Sequence, residues 1–359
     1  MKVGVIIFGD LRLCPYIRKY VETLEKEKVD YDIILWNRIQ GEDNSQFFNT
    51  KIHEYKGNLS GRSRIAKIKH FIAYRRFIKR IIKQEKYDKL IVMPTMTAVL
   101  LAGLLDKKYN KNYIFDYRDV TYEKYTFYKN IVKKIVKNSY FTAISSPGFK
   151  KVIGDNENMY IAHNFNYSDI ENGIKEREFV SKNKINVCFI GMIREYDMMQ
   201  RMLEIFGGDE RFNLVIHGDG DLFEEVKSIS QKYTNVVMTG KFIYKDKPRL
   251  LKDMDMLAYF YPTTAVNMYA IANKFYDGMI FKIPTIGNRE TYSGKMIKEL
   301  NVGCNINLND SNEKIRDEIF DYYNSIDSAD FNSCANNYIQ SVLTDDKAYL
   351  DKIKEFIRE

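Results

Sequence analysis

The chain reads as an α/β protein made of two parallel-sheet domains in series. Three observations predict this. Short β-rich apolar runs recur at intervals long enough for a crossover helix between them. A polar, charged stretch breaks the alternation near the middle, and the alternation then restarts. With 359 residues and 45% apolar content, the chain can supply two cores of ordinary size.

VGVIIF (3 to 8) is read as the first strand, followed by Gly9-Asp10, and Pro15 opens the helical stretch PYIRKYVETLEKE. DYDIILW, KLIVMP, NYIFD, YFTAIS and MYIAHN follow as short strands, so residues 1–165 are expected to form the first domain. Residues 166–184, NYSDIENGIKEREFVSKNK, fit a linker. Over 185–329 come INVCFIG, a helix over 195–206, FNLVIHG, a helix over 221–232 and NVVMTG. A short helix near 247–252, DMLAYF, a helix from about 268 and IPTIG complete that domain. Residues 330–359 are helical and are expected to return to the first domain. The fold expected is therefore two Rossmann-like domains with a C-terminal helix crossing back.

No run of about 18 uncharged apolar residues appears, and MKVGVIIFGD lacks the features of a signal peptide, so the expected location is cytoplasmic. Cys14, Cys188, Cys304 and Cys334 are widely spaced with no CxxC pair, which predicts reduced thiols without a metal or disulfide role. The net charge of +8 suggests an acidic partner such as phosphate, nucleic acid or anionic lipid.

INVCFIG and FNLVIHG each end in Gly, Gly191 and Gly218, at the strand edge where open α/β sheets bind ligands. Gly218-Asp219-Gly220 makes a tight turn that is either an anion-facing loop or a plain connector. In TTAVNMYAIANKFYDGM, a helix N-terminus over Asn267 to Ile271, with Tyr269 inside it and Asn273 just beyond, would present unpaired N–H groups to a diphosphate. Lys274 lies about one turn inside. Asp277, three residues on, either accepts hydrogen bonds from ribose hydroxyls or forms an i,i+3 ion pair with Lys274.

From INVCFIG to IPTIG the chain resembles the donor-binding domain of GT-B-fold glycosyltransferases, specifically the retaining group called family 4. The counterparts of that pattern are Gly191 with Arg194, Gly218 and Gly220, Asp255 and Pro262, then Asp277 and Pro284. NKFYDGM followed by KIP is similar to the form found among bacterial polysaccharide-assembly enzymes. The resemblance implies Arg194 and Lys274 on the donor diphosphate and Asp277 on the ribose. Tyr269 stands in place of the first acid of the family's pair, Met192 and Asp197 in place of two cations, and Lys282 in place of a glycine.

In the first half, FGDLRLCPYIRKYVETL resembles the family's opening D-x-R loop, which implies that Asp10 and Arg12 face the reacting groups. IFDYRDVTYEKY falls where such enzymes place an acceptor-side or catalytic polar residue, making Asp119 or Arg118 the candidate and Asp116 structural. In AISSPGFKK, Ser145 and Ser146 either approach the site or cap a helix. His163 is read as a satisfied loop histidine, and Asp253 and Asp255 as structural acids without a metal.

The resemblance implies transfer of a sugar, with retention, from a UDP- or GDP-linked donor to a lipid-linked oligosaccharide in capsule, exopolysaccharide or O-antigen assembly. It implies no metal or other cofactor. A nucleotide-sugar epimerase or a catalytically silent partner of the same fold are the alternatives.

Residues 61 to 83, GRSRIAKIKHFIAYRRFIKRIIK, carry nine basic residues and no acid. At 100° per residue Lys69, Arg76, Arg80 and Lys83 share one side, and Phe71, Tyr74, Ile78 and Ile82 the other. The helix either packs on the sheet with a solvated basic face or attaches the protein to anionic lipid, peripherally on the inner face of the plasma membrane. No RNA-binding motif accompanies it, so nucleic acid is not expected.

Overall fold

The computed structural model describes residues 1–9, 11, 14–37, 44, 47–57 and 63–359. The chain divides into two compact units, Met1–His163 with Thr344–Glu359, and Asn164–Leu343. Each is built on a parallel sheet, as the alternation of apolar runs predicts.

The first unit contains β1 (Lys2–Ile7), α1 (Ile17–Lys26), β2 (Asp30–Asn37), β3 (Lys51–Lys56), α2 (Arg64–Glu85), β4 (Lys89–Met93), α3 (Thr95–Lys108), β5 (Tyr113–Tyr117), α4 (Thr126–Asn138), β6 (Phe141–Ile144), α5 (Lys150–Ile153) and β7 (Met159–Ile161). Its seven strands run in the order β3-β2-β1-β4-β5-β6-β7. The central strands are uninterrupted apolar runs because helices cover both faces. In α1, Ile17, Tyr20, Val21 and Leu24 recur at helical spacing and are all buried. Ser63 caps α2 by accepting from the Ala66 amide, and Lys86 ends the helix in a left-handed conformation at φ +54°.

The second unit contains α6 (Tyr167–Glu171), β8 (Ile185–Ile190), α7 (Tyr196–Phe206), β9 (Phe212–His217), α8 (Phe223–Ser230), β10 (Val236–Gly240), α9 (Lys247–Leu251), β11 (Met256–Tyr259), α10 (Asn273–Ile280), β12 (Thr285–Asn288), α11 (Tyr292–Glu299), β13 (Gly303–Ile306) and α12 (Asn312–Asn324). The strand order is β10-β9-β8-β11-β12-β13, all parallel. One apolar layer lies on each face of this sheet.

The last helix, α13 (Ser328–Arg358), contributes Phe331, Ala335, Ile339 and Val342 to the second unit's core. Its later turns contribute Tyr349, Ile353, Phe356 and Ile357 to the first unit's core.

Residues 166–184 are held within the second unit. Arg177 donates to the Met254 carbonyl at 2.6 Å, and Phe179 meets the Phe331 ring edge-on with centroids 5.0 Å apart. The helix expected from about 268 begins instead at Asn273. Residues 264–270 close turns of their own, with Met268 N–H donating to Thr264 O and Ala270 N–H to Val266 O. Ala272 is extended at ψ 140°, and its amide is held by Ser293 Oγ at 2.8 Å.

Candidate functional site

The strand order of the second sheet reverses between β8 and β11, and at such a reversal the loops leaving the two strands diverge and open a crevice at their carboxyl ends. Gly191 leaves β8 at φ +144°. Its amide donates to His217 O at 2.9 Å, and Ile193 N–H donates to Asp219 O at 3.0 Å, so the loops after β8 and β9 continue the sheet's pairing side by side. A methyl group at Gly218 would run into the Gly191 carbonyl, and one at Gly220 into that of Ile193. The G-x-G pattern is thus required by the close approach of the two backbones.

On the other side of the reversal, Asn288 at the end of β12 clasps Tyr261 just past β11. Its Oδ1 accepts from the Tyr261 amide at 3.1 Å and its Nδ2 donates to the Tyr261 carbonyl at 3.0 Å. This clasp fixes the chain as it leaves β11. The sequence reading did not single out Asn288.

Lys274, in the first turn of α10, reaches toward this edge. Its Nζ stands beside Gly191, 2.6 Å from where a Cβ there would lie, and 5.5 Å from the centre of the Phe189 ring. The structure therefore brings together Gly191, Gly218, Gly220 and Lys274. Arg194 is exposed on the same β8 loop and has no ion pair among the described residues. Asn267 is occupied in its own loop, its Nδ2 donating to Pro262 O at 2.8 Å. Tyr269 lies half-buried in the 264–270 turns, and Asn273 at the start of α10 accepts from Asn164 Nδ2 at 2.7 Å.

Asp277 is ion-paired with Lys247 at 2.8 Å, and Lys247 also lies 2.7 Å from Asp169. Tyr244 donates its hydroxyl to Asp169 and lies 2.9 Å from Lys247 Nζ. Burial works against the Lys247 charge, but the two carboxylates more than offset it and raise the ammonium above the ordinary lysine value. Sequence reasoning missed Lys247 and Asp169 because their partnership spans 78 residues and leaves no local pattern. Asp255 is structural as expected, accepting from Lys182 Nζ at 2.6 Å and the Asn186 amide at 2.9 Å.

In the first unit, Arg118 forms a two-pronged pair with Asp116, Nε to Oδ1 at 2.7 Å and Nη2 to Oδ2 at 3.2 Å, and stacks 4.2 Å from the Tyr16 ring centre. Tyr20 completes the buried set, its hydroxyl 2.6 Å from Asp116. Arg118 is thus engaged in the interior, whereas Asp119 beside it is exposed at the carboxyl end of β5. Asp10 and Arg12 lie outside the described residues. Ser146 caps the turn that follows it, accepting from the Gly148 amide at 3.1 Å, and His163 is satisfied by Asp345 at 3.0 Å.

On α2, Tyr74, Ile78 and Ile82 are buried and Lys69, Arg76, Arg80 and Lys83 are exposed, in the two-sided arrangement the periodicity predicts. The sequence reading did not anticipate a further feature. Ile65, Ile68 and Ile72 are 69, 57 and 45% exposed on the basic side of the first turns. No described helix is long and apolar enough to cross a membrane.

This architecture is the GT-B fold. The chain is similar to Anabaena HepE solved in complex with UDP, at 12% identity over 99% of this chain and 100% of that one, with a TM-score of 0.65. It is also similar to the lipopolysaccharide outer core galactosyltransferase WaaB, at 13% identity over 95% and 99% of the two chains, TM-score 0.57. A third similar structure is the sucrose-phosphate synthase of Thermosynechococcus elongatus, at 11% identity over 94% of each chain, TM-score 0.63. No protein-family model and no curated protein matches the sequence.

Proposed function

We propose that the protein is a glycosyltransferase that moves a sugar from a UDP- or GDP-linked donor to a hydroxyl of a lipid-linked oligosaccharide, in assembly of a bacterial surface polysaccharide. The observation that carries this reading is the Lys274 ammonium beside Gly191, at the reversal of the second sheet. Support also comes from the UDP held by HepE and from the lipopolysaccharide substrate class in WaaB's name.

As the bond from the anomeric carbon to the diphosphate breaks, negative charge grows on the departing oxygen. Lys274, Arg194 and the first-turn amides of α10 lower that barrier because they are in place before the charge develops. The acceptor oxygen attacks from the face the diphosphate vacates, giving retention, with Asp119 on the acceptor side. Since Lys274 and Arg194 supply the positive charge, the step is assigned no metal. Asp277 meets the ribose with Lys247 already bound at its Oδ1.

The exposed face of α2 attaches the protein to anionic lipid on the cytoplasmic side, where a lipid-linked acceptor is found. Its cations meet the headgroups, and Ile65, Ile68 and Ile72 enter the boundary below them.

Incubation with a panel of UDP- and GDP-sugars tests the assignment. Slow release of nucleoside diphosphate from one donor is expected. Binding without turnover would leave a silent binding protein of this fold, and absence of both would overturn the reading.

A further inference from the structure

Away from the candidate donor site, three metal-ligating side chains meet near the amino ends of the first unit's strands: Asp32 on β2, His53 on β3 and Glu85 at the last position of α2. One potential ligand atom from each lies within 4.8 Å of the other two. His53 Nε2 is 3.5 Å from Asp32 Oδ2 and 3.6 Å from Glu85 Oε1. Those gaps are too long for hydrogen bonds. They match the separation of neighbouring ligands around a tetrahedral zinc ion, roughly 3.3–3.6 Å for bonds of about 2.0–2.2 Å.

His53 Nε2 is also shielded from water and has no hydrogen-bond partner among the described residues. A buried ring nitrogen left unsatisfied needs an explanation, and a cation between it and the two carboxylates provides one.

We propose that Asp32, His53 and Glu85 bind a transition-metal cation of the Zn2+ type, which clips β2, β3 and the end of α2 together. The mixed imidazole and carboxylate set suits Zn2+ or Co2+, with water filling the fourth position. The site is separate from sugar transfer and does not depend on that assignment.

Lys2 is the built-in competitor. Its Nζ lies 2.7 Å from Asp32 Oδ2 and 2.9 Å from Glu85 Oε2, where it supplies the positive charge a metal would replace. Its side chain is 23% exposed, so it can swing out to solvent when a cation enters. Lys51 lies 2.6 Å from the other Glu85 oxygen, with its side chain 59% exposed, and can yield in the same way.

The test is Zn2+ titration of the chelator-stripped, reduced protein by calorimetry, with Co2+ absorption as a second readout. Wild-type protein is expected to bind one Zn2+ and to melt at a higher temperature when loaded. His53→Ala should weaken binding tenfold or more, and Lys2→Ala should tighten it fivefold or more, a gain that misfolding cannot produce. Bound Co2+ should show a tetrahedral spectrum without a thiolate band, separating this site from the four cysteines. No single-site binding in wild type and Lys2→Ala, or affinity unmoved by both substitutions, would overturn the proposal.

Discussion

Lys247 holds Asp277 at 2.8 Å while gripping Asp169 at 2.7 Å with the same ammonium. The three side chains are 6, 13 and 7% exposed, so solvent does little to screen them. Removing the ammonium leaves two buried carboxylates facing each other. Lys247→Met should therefore lower unfolding stability by about 3 kcal/mol, measured by urea denaturation. An unchanged midpoint would mean that the cluster contributes nothing.

Lys282 occupies φ +52°, one residue past the end cap of α10. The turn is a Schellman closure, with Ile283 N–H donating to Gly278 O at 2.8 Å. A side chain in the left-handed region is strained, and glycine would not be. Burial also pushes the Lys282 ammonium down to about 8, with its Nζ donating to Met279 O at 2.8 Å. Lys282→Gly should stabilise the protein by about 1 kcal/mol at pH 7. Between pH 8 and the ordinary lysine value of 10.5 the unfolded chain holds this proton and the folded chain does not, so wild type gains stability as pH rises. The advantage of the glycine variant should shrink over that range. A constant advantage would remove the ammonium from the account.

Gly218→Ala places a methyl group against the Gly191 carbonyl. Backbone cannot yield as a flexible side chain can, so the two loops must separate. A loss of about 2 kcal/mol in stability is expected, with weakened nucleotide binding. Unaltered binding would place the ligand elsewhere.

On α2, each basic residue near an anionic surface contributes about 1 kcal/mol to attachment. Arg76→Glu with Arg80→Glu should sharply reduce sedimentation with anionic vesicles. Ile68→Ser with Ile72→Ser should reduce it without any change in charge. Vesicle binding indifferent to both pairs would leave α2 a packing helix with a solvated face.

The parallel sheets were legible because strands covered on both faces are written as unbroken apolar runs, as in VGVII and INVCFI. KIHEYK carries no such signal because it forms the sheet's edge, where four of its six residues are polar and at least partly exposed. Gly-Cys-Asn-Ile at β13 was likewise too short and mixed to register as a strand. The start of α10 was misplaced because residues 264–270 form helix-like turns before Ala272 breaks the run. Lys274 and Asp277 were visible as a pair in sequence, but the cation on Asp277 comes from Lys247, thirty residues away, which only tertiary structure could place.

The most direct measurement of the central claim is calorimetric titration of UDP and GDP into wild-type protein and Lys274→Ala. One nucleotide should bind wild type, and loss of the ammonium should weaken it by roughly 1.5 to 3 kcal/mol, the range for a charge-assisted contact. Equal affinity in the two proteins would contradict the assignment of the β8–β11 edge as the diphosphate site.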